Sequence, residues 1–258
     1  MLTTIAKAGD VLALFTPEQP EWGVREIGLA LETPKSNAHQ ILTSLATIGL
    51  LQRTPRSRYR LGWRLLALGE NVASSSIHRA GGEVMWSLSR QSGETVQLSV
   101  FDGAKTVLVA RAPGRSGAGS NRTVGDTLPF HASASGKLLL AHHPDAWQRQ
   151  MATQGLIPLT PYSVRSVCAL EQQLTDIGEG LPSTDIEESR LGMACVASPI
   201  RDHHGDVTAA LSLVVPSTRF TANRALYIRA IQNAARRVSS LLSEPTASLS
   251  EPTVSKVG

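Results

Sequence analysis

The sequence has 258 residues, 41% of them hydrophobic, and a formal net charge of +4. That is enough chain for a real core in one large domain or two modest ones, with a composition ordinary for a soluble globular protein. Two cysteines, Cys168 and Cys195, are too few for a disulfide scaffold and fit a reducing cytoplasm. The longest apolar run near the start, residues 11–15, is too short for a signal peptide or for the roughly 20 apolar residues of a membrane span, so a cytoplasmic chain with no membrane partner is expected.

Ile5, Ala8, Leu12 and Phe15 recur at helical spacing and predict a first amphipathic helix. Pro17 and Pro20 punctuate a loop. Val24, Ile27 and Leu31 mark one face of a short second helix over 24–31. Thr33-Pro34 then reads as an N-cap hydroxyl with proline at the first helical position. This third helix should run to about Ile48 and stop at Gly49. Residues 50–53 and 59–61 read as short strands joined by the exposed turn "TPRSR". Three helices followed by a basic hairpin form the pattern of a winged helix-turn-helix over residues 1–62.

Residues 33–62 contain Lys35, Arg53, Arg56, Arg58 and Arg60 and no Asp or Glu. A charge run by itself is usually a solvated face. Here it coincides with a capped helix and the right order of elements, which points to double-stranded DNA. Ala38, Ile41, Leu42, Leu45 and Ile48 should line the inner side of the third helix, leaving Ser36, Gln40 and Thr43 outward. Lys35, Ser36, Asn37, His39 and Gln40 are then expected to meet base edges or nearby phosphates, since Gln and Asn can pair with adenine and Lys with guanine. Arg53, Arg56 and Arg58 are expected to grip the backbone at the wing, with Arg60 alternating along the strand beside them.

Residues 63–80 are expected to carry the linker helix: "WRLLALGENVASSS" and "IHRAGGEVMWSLSRQSG" read as two helices with Ser74-Ser75-Ser76 at their junction. An α+β domain over 81–242 should follow, with a sheet built from hairpins and helices packed on it. Val96, Leu98 and Val100 alternate along one strand, which turns at Asp102-Gly103 and returns over 106–110. "APGRSGAGSNRTVGD" reads as flexible, and "LPFHASASGKLLLA" becomes a helix near Ser135. Two more helices follow, then the strands "ACVASPIRD" and "VTAALSLVV". A closing helix over 222–242 should bury Leu226, Ile231, Ala234, Val238 and Leu241. The Ser/Pro/Thr-rich tail, 243–258, should be disordered.

"PKSNAHQILTSLATIGLLQR", "RYRLGWRLLALG", "SGETVQLSVFDG", "VGDTLPFHASASGKLLLA" and "DIEESRLGMACVASPIRDHHGDVTAALSLVVPSTRFT", in that order and spacing, resemble the IclR family of bacterial transcriptional regulators. The resemblance spans roughly residues 4–242. It implies a GAF-like effector domain with an antiparallel sheet flanked by helices, homodimers or dimers of dimers, and a palindromic operator. It also implies that the amides of Ala134, Ser135 and Gly136 meet a small-acid ligand. A helix N-terminus there would favour an anion physically, while tight packing of small residues is the plain alternative. The family's further polar groups fall on Asp185, Cys195 and Ser212, but the second serine position holds Val214. The broken polar pair points to an effector more apolar than glyoxylate, such as an aromatic acid.

Other classes are weaker. "SASGK" matches neither a nucleophile elbow nor a phosphate loop. Ser133, His131 and Asp185 as a triad, or Cys195 with His203 or His204 as a thiol pair, lack a local signature. A metal-sensing regulator would draw on His142-His143, His203-His204 and the cysteines, without metal-ligand spacing. The expectation is a non-enzymatic, ligand-responsive DNA-binding regulator, repressor or activator, with no metal and no cofactor.

Overall fold

Helices α1 (Thr3–Ala13), α2 (Val24–Ala30) and α3 (Lys35–Thr47) lead into a hairpin of β1 (Leu51–Arg53) and β2 (Tyr59–Leu61) and then α4 (Arg64–Ala73). The computed structural model describes residues 3–73, 75–115 and 122–243, and the chain divides at Ser75–Ser76 into two units. In the first unit Val11, Phe15, Ile27, Ala38, Ile41, Leu42, Leu45, Leu51 and Tyr59 form one core. Ile5, assigned to the inner face of α1, is exposed, and Val11 is buried instead. The tight turn into α3 passes through Glu32, whose φ is 47°. The N-cap of α3 is Pro34 rather than Thr33, and the Thr33 hydroxyl is buried without a partner. Its β-region ψ of 143° lets proline stand one position earlier than the usual N1.

Trp22 exchanges backbone hydrogen bonds with Tyr59 (2.9 and 2.8 Å), so the hairpin is stitched to the loop before α2. Gly62 closes it: a Cβ there would stand 2.2 Å from the Gly49 carbonyl oxygen. Arg64 donates to the Ile48 carbonyl at 2.8 Å and ties the start of α4 to the end of α3.

The second unit opens with α5 (Ser76–Ser92), so the two helices read on either side of the 74–76 serine run are α4 and α5, and the linker span of 63–80 takes in α4 and only the start of α5. Strands β3 (Thr95–Phe101), β4 (Thr106–Ala112), β5 (Thr127–Leu128), β6 (Ser183–Ile186), β7 (Met193–Arg201) and β8 (Val207–Pro216) form one antiparallel sheet in the order β5-β4-β3-β8-β7-β6. Helices α6 (Ala134–Ala141), α7 (Pro144–Gln154) and α8 (Val167–Gly178) lie between β5 and β6 in the chain, and α9 (Ser217–Ser243) closes the unit. The helix α9 begins earlier than expected and bends at Asn223, where φ is −130°. Leu226 and Leu241 are exposed, while Tyr227, Ile231, Ala235 and Val238 carry the buried face.

The two faces of the sheet differ because side chains alternate along each strand. Val96, Leu98, Val196, Leu211, Leu213 and Val215 pack with α5 and α9 into the main core. The opposite alternation supplies Gln97, Ser99, Ser183, Asp185, Cys195 and Ser212, on the face that α6 covers through Ala134, Leu138 and Leu139. Gln97, Ser99 and Ser212 are buried. A polar alternation that would ordinarily mean a solvated face here lies inside the unit. Of the stretch read as flexible, 112–126, residues 116–121 lie outside the described residues, as do residues 244–258 of the tail; Ala112 ends β4, and Ser243 ends α9.

Candidate functional site

The first unit presents a basic, hydrogen-bonding surface. Ala38, Ile41, Leu42 and Leu45 anchor α3, leaving Lys35, Ser36, Asn37, His39, Gln40 and Thr43 exposed, as the periodicity requires; Ile48, expected on the inner side, lies past the end of the helix and is exposed. Arg53 donates to the Ser57 hydroxyl at 3.3 Å, within a wing turn whose Ser57 has a φ of 56°. Arg56 is exposed at the tip, and Arg60 is held by the Gln52 side chain at 3.1 and 3.2 Å.

Arg58, expected at a phosphate, is turned the other way. It donates to both Glu26 carboxylate oxygens at 2.9 and 2.6 Å and to the Glu21 carbonyl at 2.8 Å. The bidentate bond to Arg58 holds the Glu26 carboxyl below its usual range, and the arginine is shifted up in turn. Glu26 also accepts from the Gly23 amide at 2.9 Å, so one carboxylate caps α2 and fastens the wing. The reading missed this because the acid-free run begins at Thr33, and the partner acid lies 32 residues away.

The second unit holds a cavity of about 270 Å³ lined by Gln97, Arg122, Ser135, Asp185, Cys195 and Val214, with Ser133, Arg190 and apolar Leu128 and Met193 completing it. It lies between the polar face of the sheet and the start of α6. The Ser133 hydroxyl caps α6, accepting from the Gly136 amide at 3.1 Å and donating to the Pro129 carbonyl. By helix geometry the Ala134 and Ser135 amides, at the first two positions, have no intrahelical acceptor.

Of the expected ligand contacts, Ser135, Asp185, Cys195 and Val214 line this cavity, whereas Ala134, Gly136 and Ser212 are absent from its lining. Ala134 is buried in the core and its carbonyl accepts from Ser183 at 2.7 Å. Gly136 serves close packing: a Cβ would come 2.6 Å from the Pro129 oxygen, and its amide belongs to the cap. Ser212 lies in the same cross-strand row as Gln97, its buried hydroxyl beside the Cys195 sulfur.

Asp185 is fixed by the loop that follows it. One oxygen accepts from the Glu188 amide (2.8 Å) and the Ser189 amide (3.1 Å), and the other accepts from the Ser189 hydroxyl. Burial pushes its carboxyl above the ordinary range, against the pull of the Ser189 bonds and the Lys137 charge. Lys137 is itself buried and donates to Glu188 at 2.7 and 2.8 Å and to Gln173 at 2.9 Å. The 186–190 loop is therefore bolted to α6 and α8, which positions Asp185 and Arg190 at the cavity. Burial next to Asp185 pushes the Cys195 thiol up to about 12.

The enzymatic alternatives have no geometry. A thiol that stays protonated is no nucleophile, and His203 and His204 sit in the turn after β7, at the far end of the strand from Cys195. The Ser133 hydroxyl belongs to the α6 cap, and His131 Nε2 is bonded to the Ile157 carbonyl at 2.8 Å, so no triad forms with Asp185. Among the described residues no group of three or more His, Cys, Asp or Glu is placed to hold a metal ion. The reading also missed Gln97, Arg122 and Arg190; of these, the polar alternation of "TVQLSV" was the available signal for Gln97.

Two family models match the chain: "IclR helix-turn-helix domain" over residues 4–55 and "Bacterial transcriptional regulator IclR C-terminal" over residues 70–240. The transcriptional regulator XynR of Escherichia coli K12 is 30% identical over 254 residues, covering 95% of this chain and 99% of that protein. The transcriptional repressor AllR of the same organism is 32% identical over 210 residues, 78% of this chain and 75% of that protein. Among solved structures, an IclR homologue from Microbacterium hydrocarbonoxydans complexed with 4-hydroxybenzoate aligns with a TM-score of 0.80 at 25% identity, covering 93% of this chain and 99% of that one.

Proposed function

The chain belongs to the IclR family of bacterial transcriptional regulators, with a DNA-binding unit and an effector unit, and from that premise we propose that it is switched by a small carboxylate, preferably aromatic, bound under α6. The observation that carries the ligand class is the cavity itself. Two arginines, Arg122 and Arg190, and the first amides of α6 supply positive potential, while Leu128, Met193 and Val214 supply an apolar wall. Val214 faces Cys195 across the sheet, so the wall is apolar where a second hydroxyl would otherwise stand. The 4-hydroxybenzoate held by the Microbacterium homologue fits the same class.

In the DNA-binding unit, Lys35, Ser36, Asn37, His39 and Gln40 enter the major groove, and Arg53 and Arg56 contact phosphate. Two copies read a palindromic operator. The exposed Leu66, Leu68 and Val72 of α4, with Trp63 just before it, support pairing through that helix. Ligand shifts DNA affinity by binding one arrangement of the paired chains better than the other.

Calorimetric titration with benzoate, 4-hydroxybenzoate, glyoxylate and pyruvate tests the ligand class. Tighter binding of the aromatic acids is expected, and a clear preference for glyoxylate or pyruvate contradicts the reading. For DNA, Gln40→Ala should relax base preference, whereas Arg56→Ala should weaken all sequences and lower the salt slope by about 1. Unchanged binding by both variants contradicts the docking.

A further inference from the structure

Two cross-strand neighbours on the polar face of the sheet carry buried donors with nothing to donate to. Gln97 on β3 stands opposite Ser212 on β8 and opposite Arg111 on β4. Gln97 Nε2 and Arg111 Nε are buried without a hydrogen-bond partner, whereas the Ser212 hydroxyl has the Cys195 sulfur beside it. Gln97 is only 3% exposed, yet its side chain lines the cavity. Buried amides are normally paired, and an orphan one marks a place where an acceptor is missing. The register shift just beyond it, between Leu98 and Ser99, interrupts the β3–β4 ladder next to this row.

We propose that Gln97 is a specificity-determining residue of the effector site, donating its side-chain N–H to an oxygen that the ligand carries in addition to its carboxylate. The inference rests on the small-carboxylate reading above and narrows it. The carboxylate is met by the arginines and by Ser135 at the start of α6. The second oxygen, a hydroxyl or a carbonyl, lies over the β3–β8 pair and accepts from Gln97. A site built around a donor discriminates against an analogue lacking the acceptor, because the donor stays buried and unpaired when that analogue binds. The effector is thus a hydroxy- or oxo-acid rather than a plain carboxylic acid.

The test compares matched pairs that differ by one oxygen, 4-hydroxybenzoate against benzoate and lactate against propionate, by calorimetric titration of the full chain. At least one oxygen-bearing acid should bind about tenfold or more tightly than its partner, the ratio corresponding to one hydrogen bond. The volume-conserving Gln97→Met should bring that ratio close to one. Gln97→Asn, which keeps the amide, should retain part of the preference. Equal binding within both pairs by the wild type, or a preference that survives in Gln97→Met, overturns the role of Gln97 and leaves the carboxylate reading standing. Failure of Gln97→Met to fold shows that the amide is structural and overturns the role equally. Binding of none of the acids overturns the carboxylate reading, and this inference with it.

Discussion

Arg58 and Cys195 show how a single side chain can mislead when only its neighbours in sequence are visible. Arg58 sits among arginines, but its bidentate bond to Glu26 makes it a fastener of the wing. Arg58→Ala should therefore lower the thermal unfolding temperature of the first unit while leaving the salt slope of DNA binding unchanged, in contrast to Arg56→Ala. Equal loss of salt slope in both variants would return Arg58 to the phosphates. The place of Cys195 was legible only through the family resemblance, which pairs it with Asp185, and the two are direct cross-strand partners. Its state was not legible, because burial and the nearby carboxylate set it. With the thiol pushed up to about 12, iodoacetamide at neutral pH should label the exposed Cys168 and leave Cys195 unmodified, read by peptide mass mapping. Preferential labelling of Cys195 would contradict the assigned environment.

At the scale of elements, periodicity was readable where one face of an element meets a core and the other meets water. It gave α3, the hairpin and the strands around the 202–206 turn within a residue or two. It failed where both faces are buried. The four-residue β6 carries Asp185 yet has no apolar alternation to announce it, and β3 reads as half-solvated although its polar side is the cavity floor. The Lys137–Glu188 pair was invisible for the same reason: 51 residues separate two charges that meet in the interior. Removing one member leaves the other buried and unpaired, so Lys137→Met should cost about 3–5 kcal/mol of unfolding free energy. The double variant Lys137→Met, Glu188→Leu should recover much of it, as measured by urea denaturation. A loss below about 1 kcal/mol in the single variant would mean that Glu188 is solvated.

Asp185 gives this region a pH signature. Its folded carboxyl is raised above the ordinary 3.8, chiefly by burial. The native state therefore holds the proton more tightly than the unfolded chain. That stabilisation is fully present below the ordinary value and is lost as pH rises through the folded one. The difference in melting temperature between the wild type and Asp185→Asn should fall as pH rises from 4 to 7. A difference that grows over that range would place an ionised, well-paired Asp185 in the cavity.

At the scale of the whole molecule, the two units divide the work that a regulator needs: one carries the DNA surface and the other the buried polar cavity. The two-domain plan was legible because a helical pattern with a basic hairpin gives way to alternating strands near residue 95. The break between α4 and α5 was legible too, because the serine run at 74–76 interrupts the helical pattern. The apolar residues exposed on α4 set an expectation for assembly. Light scattering should give a mass of two or four times 27.5 kDa, and Leu66→Glu should shift it towards one chain. A monomeric wild type would contradict palindromic reading by a pair.

The central claim is that the cavity under α6 senses a small carboxylate, and the most direct measurement is a thermal-shift screen of the full chain against aromatic and short aliphatic acids, with and without chelator. A ligand that binds only the native state at a hundredfold excess over its Kd adds about 2.7 kcal/mol of stability. The account predicts a rise in melting temperature with one class of acid, unaffected by chelator. No rise with any acid, together with a large drop on adding chelator, would contradict it and establish a metal-dependent regulator instead.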